Sequence, residues 1–239
     1  MSGHSKWSSI KHKKGINDAK RANVFTKIAR MISIAAREGG GDLAVNFKLK
    51  MLVDKARSAN MPKDNIERAI KRGTGELKDG AIIEEVIYEA YGPSQEAMLI
   101  KVATDNKNRT FGEIRNILTK GGGKIVSAGA ISYMFNQMGE IEVNVEGLDK
   151  DDVEINFIEA GAEDFEIEDG TAWVYVKLTN LKIAKENLEK ENFQILNAQP
   201  TFVATQKKEI SEAEREKYEA LLEKLDENDD VVEIYDNLK

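Results

Sequence analysis

The chain has 239 residues, 41% of them hydrophobic, which is enough apolar side chain for two or three small cores. It contains no cysteine, which excludes disulfides, thiolate nucleophiles and Cys-based zinc sites and points to a reducing compartment. The formal net charge of -7 is uneven: residues 1–73 carry 17 Lys+Arg against 6 Asp+Glu, a balance of +11, while residues 74–239 carry 18 against 36, a balance of -18.

The first sixteen residues, MSGHSKWSSIKHKKGI, are polar, basic and glycine-containing, and read as an arm. From Asn17 or Asp18 the apolar residues Ala22, Phe25, Ile28, Ile32 and Ala35 recur every three or four positions, which predicts an amphipathic helix. Lys20, Lys27, Arg30 and Arg37 fall on its opposite, solvated side. Gly39-Gly40-Gly41 ends this helix. Asp42 is then placed to cap a second, with Val45, Leu49, Leu52, Ala56 and Ala59 on its buried stripe. Pro62 suits the first turn of a third helix carrying Ile66, Ala69 and Ile70 inward and stopping at Gly73. Residues 1 to about 77 are expected to form a basic three-helix domain, and the breakers from Gly73 to Gly80 would let it pivot.

The pattern then turns to strands, EEVIYEAYG and EAMLIKVAT, on either side of a turn at Gly92-Pro93. A helix from about Asn108 to Lys120 groups Phe111, Ile114, Ile117 and Leu118, and a further strand or two lead to Phe135. From Gly139 the order is strand, helix (about 150–160), strand, strand, helix (about 180–192) and strand (about 194–204), the ferredoxin-like pattern. Ser211 with Glu214 makes a capping box for a last helix over Tyr218, Leu221, Leu222 and Leu225, followed by a strand in DVVEIYDN. The expected fold is α+β: the basic helical domain, then two α/β sandwich domains, one of them ferredoxin-like. Residues 78–135 and 205–239 would form the central domain, with 136–204 inserted in it.

Enzyme chemistry is hard to build from this composition. The only two histidines, His4 and His12, lie in the arm, and a held acid–base pair is not expected there. Their spacing is not a recognised metal-ligand spacing, so no metal and no cofactor is expected. Neither glycine triplet has the frame of a phosphate-binding loop. No apolar run approaches the ~20 residues of a membrane span, and no signal-peptide core follows the N-terminus; a cytoplasmic chain, without a membrane partner and acting as a monomer, is expected.

What the sequence does offer is a polyanion-binding head. In the arm, Lys6, Lys11, Lys13 and Lys14 supply charge for phosphates, and His4, Trp7 and His12 supply rings that can stack on unpaired bases. Trp7 packing back on the helices as an anchor is an equal alternative. Lys20, Arg21, Lys27 and Arg30 extend the basic surface along the first helix. The run Thr104-Asp105-Asn106-Lys107-Asn108-Arg109-Thr110 joins a strand to a helix; capping explains it, and Asn106, Asn108 and Arg109 would also suit a nucleic-acid backbone. A duplex-reading helix-turn-helix is less well supported, since the glycine-rich link at 39–41 is loose. A different class stays open: a protein-interaction scaffold using the acidic ferredoxin-like part, with no direct nucleic-acid binding.

On several of these stretches the chain resembles the YebC/PmpR family: Gly3-His4-Ser5-Lys6-Trp7, His12-Lys13-Lys14, Asp18-Ala19-Lys20-Arg21, Phe25-Thr26-Lys27, Gly39-Gly40-Gly41-Asp42, Asn60-Met61-Pro62 with Ile66 to Ile70, Tyr91-Gly92-Pro93, the 104–110 run and the closing Asp230 to Asn237. Ser94-Gln95 departs from the Gly-Gly usual there. The resemblance implies a three-domain α+β regulator of gene expression without enzymatic activity. In bacteria such proteins are described as DNA-binding transcriptional regulators; other members are ribosome-associated translation factors, and mitochondrial relatives activate the translation of cytochrome c oxidase. The implied partner is nucleic acid, either promoter DNA or ribosomal RNA on the ribosome. The arm's mix of rings and lysines favours RNA.

Overall fold

The computed structural model describes residues 18–77 and 81–239, with side chains from residue 22 onward. In chain order the elements are α1 (Asp18–Gly39), α2 (Phe47–Ser58), α3 (Lys63–Gly73), β1 (Glu84–Tyr91), β2 (Ala97–Thr104), α4 (Lys107–Lys120), β3 (Lys124–Ile125), β4 (Phe135–Asn144), α5 (Lys150–Glu159), β5 (Asp164–Glu168), β6 (Thr171–Lys177), α6 (Leu181–Lys190), β7 (Gln194–Ala204), α7 (Glu212–Asp226) and β8 (Val231–Asp236). The fold is α+β, with three helices followed by two sheets of four antiparallel strands.

α1 has two buried faces where the sequence pattern predicts one. Ile28, Ile32, Ala35 and Ala36 meet Leu49, Val53 and Ala56 of α2 and Ile66 and Ala69 of α3. Met31 and Ile34, on another side, pack against Ala103 of β2 and Val232 of β8. A helix apolar on two sides is a helix between two layers. The pivoting head expected from the 73–80 breakers is therefore docked on the sheet through α1. Gly73 ends α3 where a Cβ would sit 2.7 Å from the Ala36 Cβ and against the Ser33 carbonyl, so α3 comes up to α1 backbone to backbone.

The expected start of the second helix is corrected. Asp42 only closes a turn, accepting from the Ala44 N–H at 2.8 Å, and Val45 is 79% exposed instead of buried. The cap is Asn46: its side-chain oxygen accepts from Leu49 N at 3.0 Å, and its amide donates to the Ala35 and Gly40 carbonyls at 2.8 Å each. A buried asparagine thus ties the α1–α2 connection to α1 and starts α2 in one stroke.

The first sheet runs β3-β1-β2-β8, and β8 lies beside β2 with Leu99 opposite Tyr235. One face of this sheet carries α4 and α7, through Ile114, Leu118, Tyr218, Leu221, Leu222 and Leu225 over Met98, Ile100 and Ile234. The capping box at Ser211 and Glu214 forms. Phe135–Ala204 is a compact unit of its own, with strand order β5-β6-β4-β7. Its core gathers Phe157 against Phe165 and Phe193, at 5.5 and 5.6 Å between ring centres. β4 begins at Phe135, four residues before the expected Gly139. At Gly139 a Cβ would lie 2.8 Å from that of Leu181, so the glycine lets α6 close on the strand.

Candidate nucleic-acid interface

Two basic residues of α1, Lys27 and Arg30, do not line an open face. Lys27 is 5% exposed, and its ammonium donates to the Asp226 carboxylate at 2.6 Å and to the Asp226 carbonyl at 2.7 Å. Asp226 ends α7, where the helix leaves free carbonyls and a cation is favoured. Arg30 reaches the Asp230 carboxylate and donates as well to the Ala103 and Asp229 carbonyls, at 2.9 and 3.1 Å. With Lys55 of α2 on Glu233 at 3.3 Å, these residues fasten the helices to the C-terminal segment. The expectation that Lys27 and Arg30 point to solvent is corrected for the same reason that α1 is buried twice: the acidic ends of α7 and β8 lie where the open side was expected.

The 104–110 run completes this lock. Asn106 caps α4, its side chain accepting from Arg109 N at 3.1 Å. Arg109 bridges Asp105 at 2.8 Å and Asp230 at 3.0 Å, and Thr110 donates to Asp230 while contacting the Thr104 hydroxyl at 2.7 Å. Burial works against ionising Asp230, but the hydrogen bonds from Thr110, Arg30 and Arg109 outweigh it and hold its carboxyl down to about 2. Asn108 stays exposed on the first turn of α4. Of the residues read from the sequence, Lys20 and Arg21 lie on the first turn of α1, with side chains outside the described part. His4, Lys6, Trp7, Lys11, His12, Lys13 and Lys14 fall outside the described residues altogether.

A surface that the sequence reading missed lies between α1 and α3. Ala22, Phe25, Ala29, Met61 and Ala69 floor a groove flanked by Thr26, Asn65, Arg68 and Arg72. Arg68 and Arg72 are exposed and make no ion pair among the described residues. They are four apart on α3, on the flank facing α1 rather than on the stripe of Ile66, Ala69 and Ile70, and that i,i+4 spacing was the available signal. Arg72 also lines a second hollow with Arg37, Thr74 and Ile83. On α1 the groove extends from Ser33 to Ala22. Such a surface offers an apolar floor for bases and guanidinium groups for phosphates. Among the described residues no set of three or more His, Asp or Glu is placed to hold a metal ion, and no helix is long and apolar enough to cross a membrane.

Two family descriptions match the chain: "TACO1/YebC protein N-terminal domain" over residues 5–76 and "TACO1/YebC second and third domain" over residues 83–238. The chain belongs to the TACO1/YebC family. This TACO1/YebC chain is 46% identical over 240 residues to a probable transcriptional regulatory protein of Thermoanaerobacter pseudethanolicus, covering 100% of the chain and 97% of the relative. It is 47% identical over 241 residues to one so named from Persephonella marina, covering 100% and 96%. The crystal structure of a conserved hypothetical protein from Aquifex aeolicus is similar, with a TM-score of 0.90 at 40% identity over 98% of this chain and 97% of that one. The boundary between the two TACO1/YebC descriptions falls in the link between α3 and β1.

Proposed function

We propose that the chain is a nucleic-acid-binding regulator of gene expression that holds single-stranded RNA, such as an exposed segment of ribosomal RNA, with its basic head. The carrying observation is the α1–α3 groove, in which Arg68 and Arg72, without an ion pair among the described residues, flank an apolar floor. In this reading Arg68 and Arg72 hold phosphates, Phe25 supplies a ring beside the strand, and Lys6, Lys11, Lys13, Lys14, Lys20 and Arg21 extend the path. His4, Trp7 and His12 stack on bases. Within the 104–110 run, Asn108 is exposed on the first turn of α4 and extends this path. Lys27, Arg30 and Arg109 act by holding the head. The chemistry needs no catalytic group, metal or cofactor.

A second reading has one observation in its favour: the relatives are named transcriptional regulatory proteins, which suggests promoter DNA. Against it, α1 is packed on two sides and cannot enter a major groove as a free recognition helix. The deciding experiment compares the intact protein, a form lacking residues 1–16 and Arg68→Glu/Arg72→Glu, in gradient sedimentation with ribosomes and in binding to labelled single-stranded RNA and duplex DNA. The double substitution is expected to weaken RNA binding at least about tenfold and to flatten its salt dependence by about 0.7 for each phosphate no longer neutralised. A sequence preference among duplexes, with no RNA binding, would overturn the RNA reading in favour of the promoter one.

A further inference from the structure

Between Glu113 and Glu140 the chain contains no acidic residue, although it holds 42 Asp+Glu among 239 residues. That stretch carries Arg115, Lys120 and Lys124 and forms the end of α4, β3 and the loop leading to β4. The loop is exposed from Ser127 to Ala130 and again at Ser132 and Tyr133, yet it is firmly held. Glu89, buried on β1, accepts three of its backbone N–H groups: Gly129 at 2.6 Å, Ile131 at 2.7 Å and Ser132 at 3.1 Å. Burial alone would raise the Glu89 carboxyl, but those N–H groups keep it below the usual carboxylate range, so the clamp is ionised at neutral pH. The Ile131 side chain is fully buried and pins the loop a second time.

What this fastening presents is Tyr133, 76% exposed, with no hydrogen bond or ring contact among the described residues. A large ring held in water on a fixed loop is an unusual use of a tyrosine, whose apolar body ordinarily packs. Nearby, β3 forms the edge of the sheet and pairs Lys124 with Tyr91, and the Lys124 ammonium lies 5.6 Å from the centre of the Tyr91 ring. Glu89 and Tyr91 are two residues apart on one strand, so the clamped loop and the Tyr91–Lys124 pair share a face of β1.

We infer that Tyr133, on the loop clamped to the face of β1 that carries the Tyr91–Lys124 pair, is a second contact for single-stranded RNA, in which the tyrosine ring stacks on an unpaired base and Lys124 holds a flanking phosphate. This rests on the reading of the chain as an RNA binder and adds a site on the central sheet, away from the head. The absence of acidic residues in the stretch favours a phosphate-bearing strand over a basic protein partner. An exposed ring serves any base, since every base has a π-face. Because the loop is already ordered, little side-chain and backbone freedom is lost when the base stacks.

The test uses the full chain and a short unstructured RNA of mixed sequence, with affinity read by fluorescence anisotropy for wild type, Tyr133→Ala, Tyr133→Phe and Lys124→Glu. Tyr133 is exposed, so unchanged melting of Tyr133→Ala serves as the folding control. Stacking predicts a loss of about five- to a hundredfold for Tyr133→Ala. Tyr133→Phe should stay within about twofold, since the ring is kept, and Lys124→Glu should weaken binding and lower the salt slope. If the intact chain binds the RNA and Tyr133→Ala binds as well as wild type, this site is wrong and the head reading stands. If the intact chain does not bind the RNA at all, both fall together.

Discussion

Replacing Asp230 by Asn tests whether one carboxylate joins the helices to the first sheet. Asp230 is 3% exposed and is met by Arg30, Arg109 and Thr110. Hydrogen bonds to a charged group contribute about 1.5–3 kcal/mol each, but the three are not equal here. Arg109 is 45% exposed and is also paired with Asp105, so its share is only that of a surface pair. Arg30 is 23% exposed and keeps the Ala103 and Asp229 carbonyls, so it is not left as a bare buried charge. The loss should therefore fall below the 3–5 kcal/mol of a stranded buried ion, at about 2–3 kcal/mol. Urea unfolding followed by circular dichroism, with hydrogen exchange of residues 27–36, reads the right part. A cycle with Arg30→Met should give a coupling above about 1 kcal/mol. The pH dependence has a fixed sign: the carboxyl is held at about 2, below its usual 3.8, so its contribution is full above pH 4 and is lost as pH falls toward 2. The gap between wild type and Asp230→Asn should close over that interval. A gap under about 0.5 kcal/mol at neutral pH, or one independent of acid, would refute the lock.

Three further outcomes follow from the packing. Gly73→Ala places a methyl against the Ser33 carbonyl and Ala36, and should cost about 1–3 kcal/mol by forcing α3 off α1; an unchanged melting temperature would show that the helices do not meet there. Tyr218→Phe removes the buried hydroxyl that donates to Asp236 at 2.9 Å, for a loss of about 1–3 kcal/mol in chemical unfolding; a neutral result would mean that the bond contributes nothing. Glu96 has the opposite pH sign to Asp230. It is wholly buried with one carboxylate oxygen unpaired, and burial pushes its carboxyl up, so its charge weakens the fold as pH rises. Glu96→Gln should match or exceed wild-type melting at pH 7 and lose that advantage near pH 4; a clear loss at pH 7 would show that the charge itself is needed.

The helices of the head and the order of strands can be read along the chain because their signals are local: apolar period, caps and glycine stops. The pattern misplaces Val45 because Asp42 and Asn46 are both good caps, and only the bonds from Asn46 to Ala35 and Gly40 choose between them. Lys27 and Arg30 escape it for a different reason. Their partners, Asp226 and Asp230, lie about 200 positions later, and no periodicity within α1 reports a carboxylate brought by another element. Met31 and Ile34 are the available hint, since a second apolar stripe on one helix asks for a second layer. Arg68 and Arg72 are legible as an i,i+4 pair, but only the approach of α1 turns that pair into the side of a groove.

A physical consequence separates the two kinds of basic residue in the head. Lys27, Arg30 and Arg109 are already neutralised by carboxylates, so removing them takes no charge from a bound strand. Arg68 and Arg72 have no ion pair among the described residues, so removing them does. Counter-ion release reports this difference directly, because the slope of affinity against salt follows the number of phosphates neutralised and not the stability of the binding surface. If the lock serves only to hold the groove in place, Asp230→Asn should weaken RNA binding while leaving the salt slope within about 0.3 of wild type, whereas Arg68→Glu/Arg72→Glu should lower affinity and slope together. A fall in slope for Asp230→Asn would mean that fewer phosphates are held when the head loosens, and that the arm and groove bind as one surface only while α1 stays on the sheet.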